Sequence, residues 1–306
     1  MDFGSYLPLL LPLLAVPLVL LAAPRLHPAA ATWLTALASV VLTLGAALSL
    51  ALFTLAGLVG LSIVADIGHL SPSVLRSAGI TDRPVDIIAA VLLLALCVAA
   101  VAATIRRVGA LRTARELVGE GAELVVLAQD QPVARAVPGR PGRIVVSTGM
   151  LTRLTPPERS ALFAHERAHL DRSHHLFVAV VDVFATANPL LRPFRRTVRY
   201  TTERWADELA ARSVGSRSVV AIAVGKAALA TKNAANRDPV VLAAAGGEVP
   251  RRVAALLVTP PARRLWQVLT APTSMIALTA LVLTVASAGC AIEAAGDLRQ
   301  VFMLAR

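Results

Sequence analysis

The sequence predicts a mainly α-helical membrane protein. About four transmembrane helices are expected, with an α+β cytoplasmic block holding a small β-sheet between the third and fourth. Three observations carry this. Of 306 residues, 56% are hydrophobic and 16% charged, with mean hydropathy +0.69, whereas soluble domains hold about 25% charged residues. Four long stretches are apolar and almost uncharged. The charge is also confined: residues 106–270 carry 25 basic and 13 acidic residues, a net of +12, and the rest of the chain carries 5 and 6, a net of −1. A basic block flanked by apolar segments is the pattern of positive-inside topology. It also argues against nucleic acid as a direct partner, because no binding motif or aromatic-interleaved basic stripe accompanies the +11 total.

The first span is about 6–23, broken by Pro8, Pro12 and Pro17. Asp2 and the absence of a positive charge at its start make it an anchor rather than a removable signal. The second, about 31–61, exceeds the ~20 residues that a crossing needs. Residues 62–84 mix Asp66, Ser71, Pro72, Arg76, Asp82 and Arg83, as a short polar loop would. The third span, about 85–105, closes at Arg106 and Arg107, and the fourth, about 272–292, follows Arg251, Arg252, Arg263 and Arg264. The chain thus divides into a membrane domain (1–105), a cytoplasmic domain (106–270) and a last span with a short tail (271–306). The arginines place the middle block in the cytoplasm and both termini outside a cytoplasmic (cell) membrane; Arg25, between spans one and two, agrees. Trp33 and Trp266 near span ends read as interfacial anchors, and Cys97 and Cys290 as buried apolar thiols.

Within the block, Leu124–Ala128, Pro132–Val137 and Arg143–Ser147 are short strand-like runs divided by turn residues. Thr155-Pro156-Pro157-Glu158 is a capping box with proline in the first turn. The helix it starts runs into His165-Glu166-Arg167-Ala168-His169. Histidines at i and i+4 lie one above the other on a helix, so both imidazoles can reach one metal. The intervening Glu166 is placed to take a proton from a metal-activated water, as zinc chemistry requires.

Two positions can supply a third ligand. His175 has the metzincin spacing from His169, but Arg172 stands where that chain needs a glycine, and no Met-turn follows. Glu203 is the better candidate. It forms an i, i+4 pair with Asp207, so one carboxylate can bind metal while the other orients a ligand histidine. Glu203 can join His165 and His169 only if the apolar stretch Leu176–Leu191 does not cross the bilayer. That stretch must then be a core, interfacial or re-entrant helix.

These residues resemble the M56 group of integral-membrane gluzincins, the BlaR1/MecR1-type peptidases. The matching elements are His165-Glu166-x-x-His169, Asn188-Pro189 and Glu203-x-x-x-Asp207, with Ile144–Leu151 upstream similar to the strand and turn of both M56 and the related M48/HtpX peptidases. The resemblance implies a gluzincin-type metallopeptidase with one Zn2+ per chain on His165, His169 and Glu203. Glu166 would be its general base and Asp207 a supporting carboxylate. It further implies cleavage of a cytoplasmic protein, such as a BlaI-type transcriptional repressor. An HtpX-like quality-control protease is the enzymatic alternative, and a contact-relaying signalling protein with a structural zinc site the non-enzymatic one. Two features depart from the pattern: His174 stands where these families often have Asp, and no extracytoplasmic penicillin-binding sensor is present. Val145, Val146 and Ser147 are candidate substrate-binding residues, on the expectation that their strand is an edge onto which an extended peptide can dock. Arg251 and Arg252 read as topology-setting arginines.

Overall fold

A computed structural model of the chain describes residues 6–59, 83–119, 121–235 and 248–258, with isolated positions between 278 and 303. Apart from such positions, the expected fourth span lies outside the described residues, as do Arg263, Arg264 and Trp266.

Helices α1 (Leu7–Ala22, continued by a 3-10 turn to Arg25), α2 (Pro28–Val59) and α3 (Arg83–Val118) contain segments long and apolar enough to cross a membrane. The third differs from expectation at its end. It continues past Ile105 to Val118, giving 36 residues, about 54 Å against a hydrocarbon core of ~30 Å. Hydropathy marks where lipid ends, not where helix ends, and residues 106–118 hold no proline and one glycine among strong helix formers. Along the apolar part of α3, Ile87, Val91, Leu94, Val98 and Ile105 all face outward, as a lipid-facing helix requires.

The sheet comprises β1 (Leu124–Leu127), β2 (Ala134–Val137) and β3 (Arg143–Ser147) in the order β1-β3-β2. β3 is central. It runs parallel to β1, with Leu124 opposite Ile144, and antiparallel to β2, with Ala136 opposite Ile144. This corrects the expectation for Val145, Val146 and Ser147: all three are buried on a strand already hydrogen-bonded on both sides, so no peptide can pair with it. β2 is an edge.

Ser147 then ends the sheet and starts the short helix α4 (Thr148–Leu151). Its hydroxyl accepts from the Met150 N–H at 3.1 Å and the Val133 N–H at 2.9 Å. Helix α5 (Pro156–Asp171) begins at the capping box, where the Thr155 N–H donates to Glu158 at 2.8 Å. Lys226 of α8 (Arg217–Ala235) donates to the same carboxylate at 2.7 and 2.9 Å, tying the two helices together. The turn after α5 is tight, with Ser173 in the left-handed region (φ 50°).

The apolar stretch next becomes α6 (His174–Ala187), whose 14 residues reach about 21 Å and cannot cross the bilayer. α6 packs between α2, α3 and α7 (Arg192–Val214). A single core joins α1 and α2 (Val16, Val19, Leu42) to α6 and α7 (Val181, Phe194, Val198). Two cross-contacts sharpen it: the Thr32 hydroxyl donates to the Thr201 hydroxyl at 2.9 Å, and the Trp33 and Phe177 rings meet edge-on at 4.8 Å. A second core of Ala161, Ala210, Val220 and Leu256 packs α5 and α7 against α8 and α9 (Glu248–Leu257).

Gly149 is sterically required. The Gly149 N–H donates to the Gln129 carbonyl at 2.9 Å, and a Cβ there would overlap the Asp130 carbonyl. Gly149→Ala should therefore destabilise by about 1–3 kcal/mol, seen as a lower melting temperature in detergent. Gly109→Ala, whose Cβ meets nothing within 4 Å on a helix, should not lower it.

Candidate active site and metal centre

α5 and α7 cross so that one turn of each faces the other. His165 and His169 project from α5 and Glu203 from α7. The two histidine Nε2 atoms are 3.1 Å apart, and each lies 3.5 Å from a Glu203 carboxylate oxygen. Tetrahedral zinc with bonds of 2.0–2.2 Å spaces its ligand atoms by roughly 3.3 Å, so this donor set fits a metal ion. Among the described residues these three form the one His/Cys/Asp/Glu group close enough to hold one.

Each histidine turns its far ring nitrogen to a supporting side chain, which leaves Nε2 as the atom facing the metal position. His165 Nδ1 lies 3.0 Å from Asp207, a charge contact off the ideal N–H line. His169 Nδ1 lies 3.0 Å from Nδ1 of His174. The histidine that departs from the family pattern thus stands where a supporting carboxylate is expected. It is almost fully buried against the Trp205 ring. Burial, with the His169 charge adding to it, lowers its pKa to about 3, so it stays neutral and can accept a hydrogen bond. His175 lines the neighbouring cleft and does not join the donor group.

Arg252, on α9, does more than set topology. It donates to both oxygens of Asp207 at 2.7 and 2.8 Å and reaches Glu203 at 2.8 Å. Its own backbone position is fixed by Arg217, which bonds Glu208 of α7 and the carbonyls of Ala255 and Leu256. Nothing local in the sequence signals this role; the partners lie 45 and 49 residues upstream.

Burial opposes ionisation of Asp207, yet Arg252 and His165 outweigh it and hold the carboxyl below its ordinary range. Glu203 is depressed likewise, against burial, by His165 and Arg252. For His165, burial lowers the pKa but Asp207 and Glu203 prevail and raise it to about 10. His169, desolvated beside a charged His165, falls to about 4. Glu166 is raised by burial, which the neighbouring His165 and the Ala136 N–H of β2 oppose. The would-be general base therefore lies beside the free sheet edge.

Two cavities meet at these residues. One, of about 260 Å³, is lined by Met150, Leu162, Val220, Val224 and alanines of α8. The other, of about 450 Å³, extends along β2 toward Arg107 and Arg199. Ala134, His165, Glu166 and Glu203 border both.

Residues 99–184 match the model of peptidase family M48. The matched stretch runs from α3 through most of α6 and includes His165, Glu166 and His169. It supports the M48 family and a membrane-type peptidase, M48 peptidases being metal-dependent. No curated protein and no solved structure matches the chain.

Because a metal must displace the proton of His165, apparent zinc affinity of the metal-free protein should rise with pH below about 10, by about tenfold per unit where one proton is released. Competitive titration with a zinc-binding dye across pH 6–9 checks the sign and slope. Asp207→Asn and His174→Phe should each weaken metal binding about 10–100-fold, measured the same way at one pH.

Proposed function

We propose that this protein is a zinc-dependent endopeptidase of a cytoplasmic membrane, cutting extended polypeptide segments at the cytoplasmic face. The observation that carries the reading is the placement of Glu166, in one cleft with three metal donors and with Ala136 of the free sheet edge. His165, His169 and Glu203 would hold one zinc, with Asp207, His174 and Arg252 fixing them. When bound, zinc supplies the Lewis acidity that polarises a scissile carbonyl and makes water easier to deprotonate.

The chain's own residues supply the rest. An extended peptide pairs with the outer edge of β2 and presents its carbonyl between Glu166 and the donor group. Glu166 takes a proton from the attacking water as its oxygen bonds to the carbonyl carbon. It returns that proton to the amide nitrogen as the C–N bond breaks. The apolar cavity beside α8 accepts an apolar side chain next to that bond.

Arg25 on one loop and Arg106 and Arg107 on α3 share the side of the membrane that carries the sheet, since Arg204 of α7 contacts the Pro24 carbonyl and Arg107 pairs with Asp182 of α6. By the positive-inside rule that side would be cytoplasmic and the N-terminus external, and the fourth span expected from the sequence would return the C-terminus outside. For the substrate, the M56 resemblance points to a BlaI-type repressor and the M48 match to quality control of membrane proteins, as in HtpX-like enzymes. The matched residues favour the second.

Elemental analysis of detergent-purified protein tests the metal: one zinc per wild-type chain and little in Glu203→Ala are expected. Equal zinc in both would remove Glu203 from the site. Glu166→Gln should keep zinc and lose about 10²–10⁴-fold in peptide cleavage; unchanged cleavage products would leave the contact-relay reading standing.

A further inference from the structure

The larger cavity carries chemistry that peptide hydrolysis does not use. Arg107, Arg135 and Arg199 line it. Arg107 and Arg199 both engage Asp182 of α6, the latter at 3.3 Å, and Arg195 reaches the same carboxylate at 3.7 Å. One carboxylate against three guanidiniums leaves two positive charges in excess, and Arg135 is exposed nearby. Glu166 and Glu203, the acids bordering this cavity, are committed to the reacting end. Topology alone does not demand this arrangement: arginines that merely set orientation need face only headgroups and water, whereas these share a cleft with the donor triad.

Direction and spacing follow from the backbone. Arg199 precedes Glu203 by one turn, about 6 Å along α7, and an extended peptide advances about 3.4 Å per residue. A side chain that meets Arg199 therefore belongs about two residues from the scissile bond. Ala134 borders both cavities, whereas Arg135, Ala136 and Pro138 border only the larger. A peptide antiparallel to β2, the stronger pairing, lies with its residues before the scissile bond along Ala136–Pro138.

We propose that this cleft binds an acidic side chain of the substrate, Asp or Glu about two positions before the cleaved bond, with Arg199 and Arg107 as the recognising groups. Guanidinium forks suit a carboxylate better than any other side chain does. The inference rests on the endopeptidase reading and adds a substrate class to it: segments acidic on one side of the cut and apolar on the other.

The test uses the full chain, zinc-loaded, in zwitterionic nanodiscs, with a randomised peptide library read by mass spectrometry. Asp and Glu should exceed Asn and Gln about tenfold at one position before the cut. Arg199→Glu should invert that preference toward Lys and Arg, and Arg199→Lys should retain it, which a loss of folding cannot imitate. In parallel, Glu166→Gln protein should bind a Glu-containing peptide about tenfold more tightly than its Gln counterpart.

Cleavage without acidic enrichment, or enrichment unchanged in Arg199→Glu, overturns the inference and leaves the endopeptidase standing. No cleavage of any peptide overturns the endopeptidase, and the binding comparison then decides the acidic cleft by itself. Anionic-lipid dependence of activity that vanishes in Arg199→Glu, without any peptide preference, assigns the cleft to headgroups and also overturns it.

Discussion

A carboxylate that is 2% exposed must be compensated or neutralised, because an unpaired buried charge costs several kcal/mol. Asp207 is compensated from two directions, by the Arg252 fork and by His165. Much else depends on that arrangement. It turns the His165 ring so that Nε2 faces Glu203, draws α9 over the crossing of α5 and α7, and gives Arg252 a position from which it also holds Glu203. The buried charges form a closed set, and changing one member alters the protonation of the others.

The supports on the two histidines are chemically unequal. His165 leans on a full negative charge and becomes the more basic ring, while His169 leans on a neutral imidazole. Among the described residues, the far nitrogen of His174 has no hydrogen-bond partner, a cost accepted inside an otherwise satisfied site. A histidine in this place keeps a fourth carboxyl group out of a pocket that already contains Glu166, Glu203 and Asp207.

Features set by short-range rules were legible in the sequence. The i, i+4 histidines, the Glu203–Asp207 pair and the capping box at Thr155 depend on helical periodicity alone, and each is where that periodicity puts it. The three strands were marked by the turn residues between them. Their order was not, because β1-β3-β2 is decided by hydrogen bonds across the chain, and Val145, Val146 and Ser147 look alike as edge or centre. The extension of α3 to Val118 was hidden because apolarity reports lipid rather than helix. Arg252 was hidden because juxtamembrane arginines are common and its partners are distant in sequence. Leu176–Leu191 was constrained but not placed; its fate follows from the walls that α2, α3 and α7 put around α6.

Those walls have a consequence for biogenesis. Val181, Phe194 and Val198 complete a core whose other half is Val16, Val19 and Leu42 of the first two membrane helices. A ribosome releases α1 and α2 long before α7, and one face of α7 has no finished surface to pack on until those helices are paired in the bilayer. A chain that misses the membrane leaves that face, Phe194 and Val198 included, uncovered, although the second core still packs α5 against α7. The helix that carries Glu203 is thus finished on its other side only where α1 and α2 have already been inserted.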